Sequence, residues 1–216
     1  MLTDKGVHFL AIEGVIGVGK TTLARIIAER WNAFCIEENF AENPFLEKFY
    51  ENKEAYAFQT QLFFLLDRHK QLQNTGIQSD LFHDLLVCDY TFDKDQIFAA
   101  QNLSDSEYTM YEQVARSLDK DLPKPDLVVY LQASVPTLLN RIRGRGRQME
   151  KAIEGNYLKD LQERYDHLFW HYPSAPVLII NTDNIDFVHN ENHLKQILDA
   201  IAECPRQTTY FVPDGN

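Results

Sequence analysis

Residues 7–25 read VHFLAIEGVIGVGKTTLAR. The apolar run from Val7 to Ile12 has the length and composition of a strand buried in a parallel sheet. The chain then turns through Gly14, Gly17 and Gly19 to Lys20, Thr21 and Thr22, and an amphipathic segment follows with Leu23, Ile26 and Ile27 on one face. Gly14-x4-Gly19-Lys20-Thr21 fits the phosphate-binding loop pattern in the context it needs, strand before and helix after. Glycines let the backbone curl, so that successive N–H groups along Gly14, Val15, Ile16, Gly17, Val18, Gly19 and on to Thr22 face phosphate oxygens. The helix N-terminus adds roughly half a positive charge. Lys20 can reach the outer phosphates, and the Thr21 hydroxyl can ligate Mg2+. The plain alternative, a glycine-rich turn with a surface lysine, does not account for the flanking strand and helix.

Outward from this stretch, strand-like runs alternate with helical segments. The runs are Val7–Ile12, Ala33–Ile36, Leu85–Cys88, Leu127–Leu131 and Val177–Ile180. Such alternation predicts an α/β fold, a parallel sheet covered by helices on both faces, with ligands at the carboxyl ends of the strands. The polar residues just after each strand are therefore site candidates: the phosphate loop, Glu37–Glu38, Asp89–Tyr90–Thr91 and Asn181–Thr182–Asp183. Residues 54–73 read as one long helix with a stripe of Phe58, Leu62, Leu65 and Leu72. Gln61 and Arg68, seven apart, lie on nearly the same face of it, about 10 Å apart along the axis. Residues 104–120 read as a helix opened by a Ser104–Glu107 capping box and closed by Pro123 and Pro125. Further helices are expected over 135–143 and 156–170, and the tail from Pro205 carries no strong pattern.

The 216 residues, 44% of them hydrophobic, fit one domain with a sizeable core, and no repeat or linker divides residues 1–216. Net charge is −11, from 21 basic and 32 acidic side chains, which argues against a general binder of nucleic acid or anionic membrane. The arginines are nonetheless concentrated: Arg141, Arg143, Arg145 and Arg147 fall in RIRGRGRQME. Such a strip in an acidic protein reads as a lid over about residues 141–153, made mobile by Gly144 and Gly146, that closes over a triphosphate; the alternative is a solvated basic turn. Cys35, Cys88 and Cys204 are odd in number and lack metal-ligand spacing, so free thiols in a reducing compartment are expected. His167 and His171 have a metal-compatible spacing but no third ligand nearby, so a surface or interface role is the simpler reading. With neither an apolar run of membrane-spanning length nor a signal-peptide pattern at the N-terminus, a cytoplasmic protein is expected.

Adjacent strand residues point to opposite faces, so at most one of Glu37 and Glu38 enters the site. Transfer of a phosphoryl group to a hydroxyl needs a carboxylate near the attacking oxygen and cations on the migrating group. A glutamate after the second strand suits the first role, although a solvated acidic pair has the same composition. Asp89, after the third strand, stands where a nucleotide-binding fold places a magnesium-organising acid, or serves as a turn or helix-cap residue. Phe58, Phe92 and Phe98 can include a wall for a planar base.

Taken together these residues resemble the deoxyribonucleoside kinase family, particularly its bacterial deoxyadenosine/deoxyguanosine kinase branch, over about residues 7–190. The loop reads IEGVIGVGKTT, and EENFAENPF resembles the family's Glu-Pro segment with its following Glu-Asn-Pro, which places the general base on Glu38 rather than Glu37. Gln61 and Arg68 match the glutamine that pairs with the base and the arginine beside it, and Tyr50 the tyrosine on the sugar 3′-hydroxyl. DYTFDKDQIFA resembles the acid-Arg-Ser/Thr motif at Asp89 and Thr91, with Asp95 as a base-side aspartate. RIRGRGRQMEKAIEGNYLKDL resembles the lid and the helix after it, with Glu150 at a sugar-contacting position. Three departures stand out. Tyr90 replaces an arginine near the 5′-hydroxyl and phosphates, whose role must then shift to a lid residue or weaken; Asn39 replaces a proline; Met149 replaces one of two lid acids.

The resemblance implies a three-layer P-loop kinase fold with a five-stranded parallel sheet, a homodimer, and transfer from ATP–Mg2+ to the 5′-hydroxyl of a deoxyribonucleoside. It implies that Glu38 takes the proton, that Lys20, Arg141, Arg145 and Arg147 balance charge, and that Thr21 and Asp89 organise the metal. Gln61, Arg68 and Asp95 would read the base, and Asn181–Asp186, including Asp183, would hold the ATP adenine. Deoxyadenosine and deoxyguanosine are the acceptors this branch implies. The rival readings are a nucleoside monophosphate kinase of thymidylate kinase type, which Tyr90 argues against, and a non-catalytic ATP-binding switch, which needs no acceptor pocket.

Overall fold

In the computed structural model, which describes residues 2–77 and 83–215, the five apolar runs form β1 (Phe9–Gly14), β2 (Phe34–Ile36), β3 (Leu86–Cys88), β4 (Leu127–Gln132) and β5 (Val177–Asn181). Between and after them come α1 (Lys20–Trp31), α2 (Leu46–Glu51), α3 (Lys53–Ile77), α4 (Lys94–Asn102), α5 (Asp105–Leu118), α6 (Val135–Arg145), α7 (Gly155–Trp170) and α8 (Glu191–Glu203). The sheet has six strands, not the expected five. The sixth, β6 (Thr209–Phe211), lies in the tail and pairs parallel with β5, Ile179 opposite Tyr210. Its three residues, two of them exposed, leave no alternation for a sequence reading to detect.

The strands are all parallel, in the order β2-β3-β1-β4-β5-β6. Ala11 of β1 has Cys88 of β3 on one side and Val128 of β4 on the other. The chain thus leaves β1 toward opposite edges, and the crevice at that switch point, at the carboxyl end of β1, is where such sheets take ligands. All six residues of β1 and the first five of β4 are buried, so helices cover both faces of the sheet. Fully burying each leucine or isoleucine in this core contributes about 1.5–3 kcal/mol.

The local signals act as read. Ser104 and Glu107 form the capping box of α5, the Ser104 N–H donating to Glu107 Oε2 at 3.0 Å. On α3, Leu65 and Leu72 are fully buried, while Phe58 and Leu62 are half-buried against the core. α6 runs through Gly144 to Arg145 and ends at Gly146, whose φ of 71° a side chain would disfavour. The arginine segment is therefore helical for longer than expected. Beyond it, Met149 lies against a small cluster of Leu46, Phe49 and Ala57, which seats the segment on α2 and α3. Cys35, Cys88 and Cys204 are free thiols, Cys88 fully buried. Among the described residues, no helix is long and apolar enough to cross a membrane.

Candidate active site

Gly14 ends β1 where there is no room for a side chain: a Cβ there would lie 2.5 Å from the Leu131 carbonyl oxygen of β4. The loop it opens delivers Lys20 to the first turn of α1, where the ammonium donates to Gly14 O at 2.7 Å. Burial, then the positive charge of Lys94, pushes the Lys20 ammonium down to about 8. The Thr21 hydroxyl donates to Asp89 Oδ2 just after β3, and Asp89 Oδ1 accepts the Glu38 N–H at 2.8 Å. One carboxylate thus ties the ends of β2 and β3 to the start of α1. Thr21 and Asp89 offer adjacent hard oxygens, the donor chemistry that Mg2+ takes.

Glu37 and Glu38 lie just past the end of β2 and diverge as the alternation of an extended chain would direct them. Glu37 turns to the surface and pairs with Arg25, at 2.5 Å. Glu38 turns inward and receives two cations. Arg68 Nε donates to its Oε1 at 2.9 Å, and Lys94 Nζ donates to Oε1 and Oε2 at 2.9 and 2.8 Å. Burial alone would raise the Glu38 carboxyl; the Arg68 and Lys94 charges outweigh it and hold the group well below the ordinary carboxylate range. Arg68 also pairs with Asp95, which lies beneath it, 1% exposed. Burial raises the Asp95 carboxyl and Arg68 opposes the rise.

A cleft runs from the phosphate loop to this cluster, lined by Ile16, Gly17, Lys20 and Thr21 at one end and by Glu38, Tyr50, Gln61 and Arg68 at the other, with Asp89 between Thr21 and Glu38. Phe40, Phe64 and Phe98 supply aromatic wall, whereas Phe58 and Phe92 do not line it. Arg145, Arg147 and Glu150 close one side. Arg145 donates to Glu150 Oε1 at 2.6 Å, and Arg147 stacks 3.8 Å from the centroid of the Phe40 ring. Arg141 does not line the cleft. Its guanidinium donates to Val18 O at 3.1 Å, to Thr182 Oγ1 at 3.0 Å and to Thr182 O at 2.6 Å, clamping the phosphate loop to the segment after β5. Asp183 accepts the Ser134 N–H at 2.7 Å, so its carboxylate serves the start of α6. Gly14, Val15, Val18, Gly19, Thr22 and Asp95 do not line the cleft.

Three residues of this arrangement escaped the sequence reading. Lys94, 2% exposed, opens α4, a helix with no counterpart among those expected. Glu13, fully buried in β1, accepts from Thr91 N at 2.6 Å and Thr91 Oγ1 at 2.9 Å, bracing the loop after β3. Phe64 lies under the Arg68 guanidinium, 5.0 Å from it. A charge inside an apolar strand was the available signal for Glu13. Lys94 had none, because its meaning depends on where α4 begins in space. Tyr90 is fully buried, its hydroxyl donating to Gln71 Oε1 at 2.6 Å.

A phosphate loop, a metal-type oxygen pair and an ionised carboxylate at the far end of one cleft define a phosphotransferase with a separate acceptor pocket. Residues 10–205 match the deoxynucleoside kinase family model. The chain is 39% identical to a deoxyguanosine kinase of Bacillus subtilis (strain 168), over 90% of this chain and 96% of that protein. It is 31% identical to a deoxyadenosine/deoxycytidine kinase of the same organism, over 89% and 91% respectively. Among solved structures, a deoxyadenosine kinase from M. mycoides with bound dATP shares the fold, with a TM-score of 0.78 at 24% identity, over 90% of this chain and 99% of that one. The chain belongs to the deoxynucleoside kinase family and is an enzyme that phosphorylates deoxynucleosides.

Proposed function

We propose that the protein transfers the γ-phosphoryl group of ATP to the 5′-hydroxyl of deoxyguanosine or deoxyadenosine, with Glu38 as the proton acceptor. The observation that carries this reading is the Glu38 carboxylate, inside the cleft that starts at Lys20 and bracketed by Arg68 and Lys94. The phosphates would lie against the loop N–H groups, the α1 N-terminus and Lys20. Thr21 and Asp89 would hold Mg2+, which when bound neutralises phosphate charge. The hydroxyl to be phosphorylated would donate to Glu38. A carboxylate held so firmly ionised is a weak base, so it orients the hydroxyl first and accepts the proton late, as a loose phosphoryl transfer permits.

Gln61, 3% exposed, offers both a donor and an acceptor to a base edge. The Arg68–Asp95 pair can adjust to a 6-oxo or a 6-amino purine. The name of the deoxyguanosine kinase relative supports a purine acceptor; that of the second Bacillus relative couples deoxyadenosine with the pyrimidine deoxycytidine. Arg145 and Arg147 would leave part of their hold on Glu150 to meet the triphosphate as the segment over 141–153 closes. Tyr50 and Glu150 would face the sugar. Arg141 and Asp183 would shape the adenine side through the backbone they hold rather than by direct contact. A cytoplasmic homodimer completes the proposal.

The test is ADP release from ATP–Mg2+ with each of the four deoxynucleosides, with dTMP, and with no acceptor. Turnover with a deoxypurine is expected. Turnover with dTMP alone would move the protein to the monophosphate kinases. ATP binding without acceptor-dependent turnover would make it a nucleotide-binding switch.

A further inference from the structure

The acceptor pocket holds a cation that neither the phosphate loop nor the arginine segment supplies. Lys94 is 2% exposed, and a lysine is almost never buried so deeply without a dedicated partner. Its partner is the carboxylate of Glu38, both oxygens of which it reaches. The other cation on that carboxylate, Arg68, is shared with Asp95. Lys94 lines the cleft, and its charge is felt at Lys20 at the phosphate end, where after burial it is the largest influence on that ammonium. Tyr90, by contrast, does not line the cleft and commits its hydroxyl to Gln71.

We infer that Lys94 is the positioning residue of the transfer step: its ammonium holds Glu38 by both oxygens and brings to the acceptor end the positive charge that Tyr90 cannot bring. The inference rests on the reading of Glu38 as proton acceptor. Arg68 alone does not suffice, because it is shared with Asp95 and reaches only Oε1 of Glu38, which leaves Oε2 unheld. An ammonium against both Glu38 oxygens holds the second as well, and α4 fixes where it stands. The charge expected in the arginine segment, or from position 90, has moved to the first turn of the next helix.

Lys94→Met should lower kcat for deoxyguanosine on the order of 10²-fold, the scale of a misplaced reacting group. The KM values for ATP and nucleoside should move far less than kcat. Lys94→Arg, which restores the charge, should recover most of the loss. Lys94→Gln keeps the length and a hydrogen-bond donor but not the charge; it should be as slow as Lys94→Met, and it serves if the apolar variant does not fold. Full-speed Lys94→Gln overturns the inference, as does a rise in KM with kcat unchanged, or a loss that Lys94→Arg leaves unrepaired at unchanged Tm. Wild type run in the same series separates the two levels. Without deoxynucleoside turnover by wild type the proposed function itself fails; with it, and with a fast Lys94→Gln, only the assignment of Lys94 fails.

Discussion

The two ends of the cleft are built in different ways. The phosphate end is made mostly of backbone, a loop of N–H groups, a helix N-terminus and a glycine pressed against the Leu131 carbonyl, joined by the Lys20 and Thr21 side chains, all within residues 14–22. The acceptor end is made of side chains from separate elements, Glu38 after β2, Gln61 and Arg68 on α3 and Lys94 on α4, with Asp95 of α4 paired to Arg68 and Asp89 after β3 joining this end to Thr21. Apart from Lys20 and Thr21, such a backbone site tolerates change in its side chains but not in its shape. A side-chain site of paired charges tolerates neither the loss of a partner nor the loss of its helices. The comparison therefore predicts where each end breaks.

The largest effect is expected at the residue that joins most of the acceptor end. Arg68→Met leaves Asp95 without its cation and Glu38 with only Lys94. Breaking a buried pair of this kind costs about 3–5 kcal/mol, to be read from urea unfolding, and transfer should fall with it. Next comes the pH dependence of Glu38. Its folded carboxyl sits below the ordinary value of 4.5, so the stability contributed by its ion pairs is complete above that pH and is lost as pH falls through the depressed value. The stability difference between wild type and Glu38→Gln should therefore hold at neutral pH and shrink only in acid. A difference that shrank already between pH 7 and 6 would remove Glu38 from the paired state.

At the phosphate end, Gly14→Ala should cost about 1–3 kcal/mol and weaken ATP binding, because the new Cβ would lie 2.5 Å from a strand carbonyl that cannot withdraw. The acceptor pocket should bind nucleoside as before, which equilibrium binding without ATP would check. The smallest effect is expected one residue from the base. Glu37→Gln removes a surface pair with Arg25, so stability should change by less than about 1 kcal/mol and turnover not at all.

The same difference explains what could be read in advance. The phosphate loop was legible because its chemistry lies in consecutive residues between a strand and a helix. Five strands, the long α3 and the α5 capping box were legible from apolar runs, a helical stripe and one Ser104–Glu107 spacing. Strand parity separated Glu37 from Glu38, but which one faced inward came from the motif after it. β6 was not legible, since three residues on a sheet edge need no apolar pattern. Lys94 was not legible either, because a lysine at the start of a short helix is ordinarily a solvated residue. Only the packing of α4 beside α3 brings it to Glu38. Arg141 shows the converse: it sits among the charges that signalled a lid, yet its hydrogen bonds go to Val18 and the segment after β5.

The most direct test is a single-turnover measurement of phosphoryl transfer from ATP–Mg2+ to deoxyguanosine, wild type beside Glu38→Gln, with ATP affinity measured on the same samples. The expected result is unchanged ATP affinity and a transfer rate lower by about 10²–10⁴-fold, the range for removal of a general base. Transfer by Glu38→Gln at the wild-type rate, with ATP equally bound, would contradict the assignment of this carboxylate as the proton acceptor.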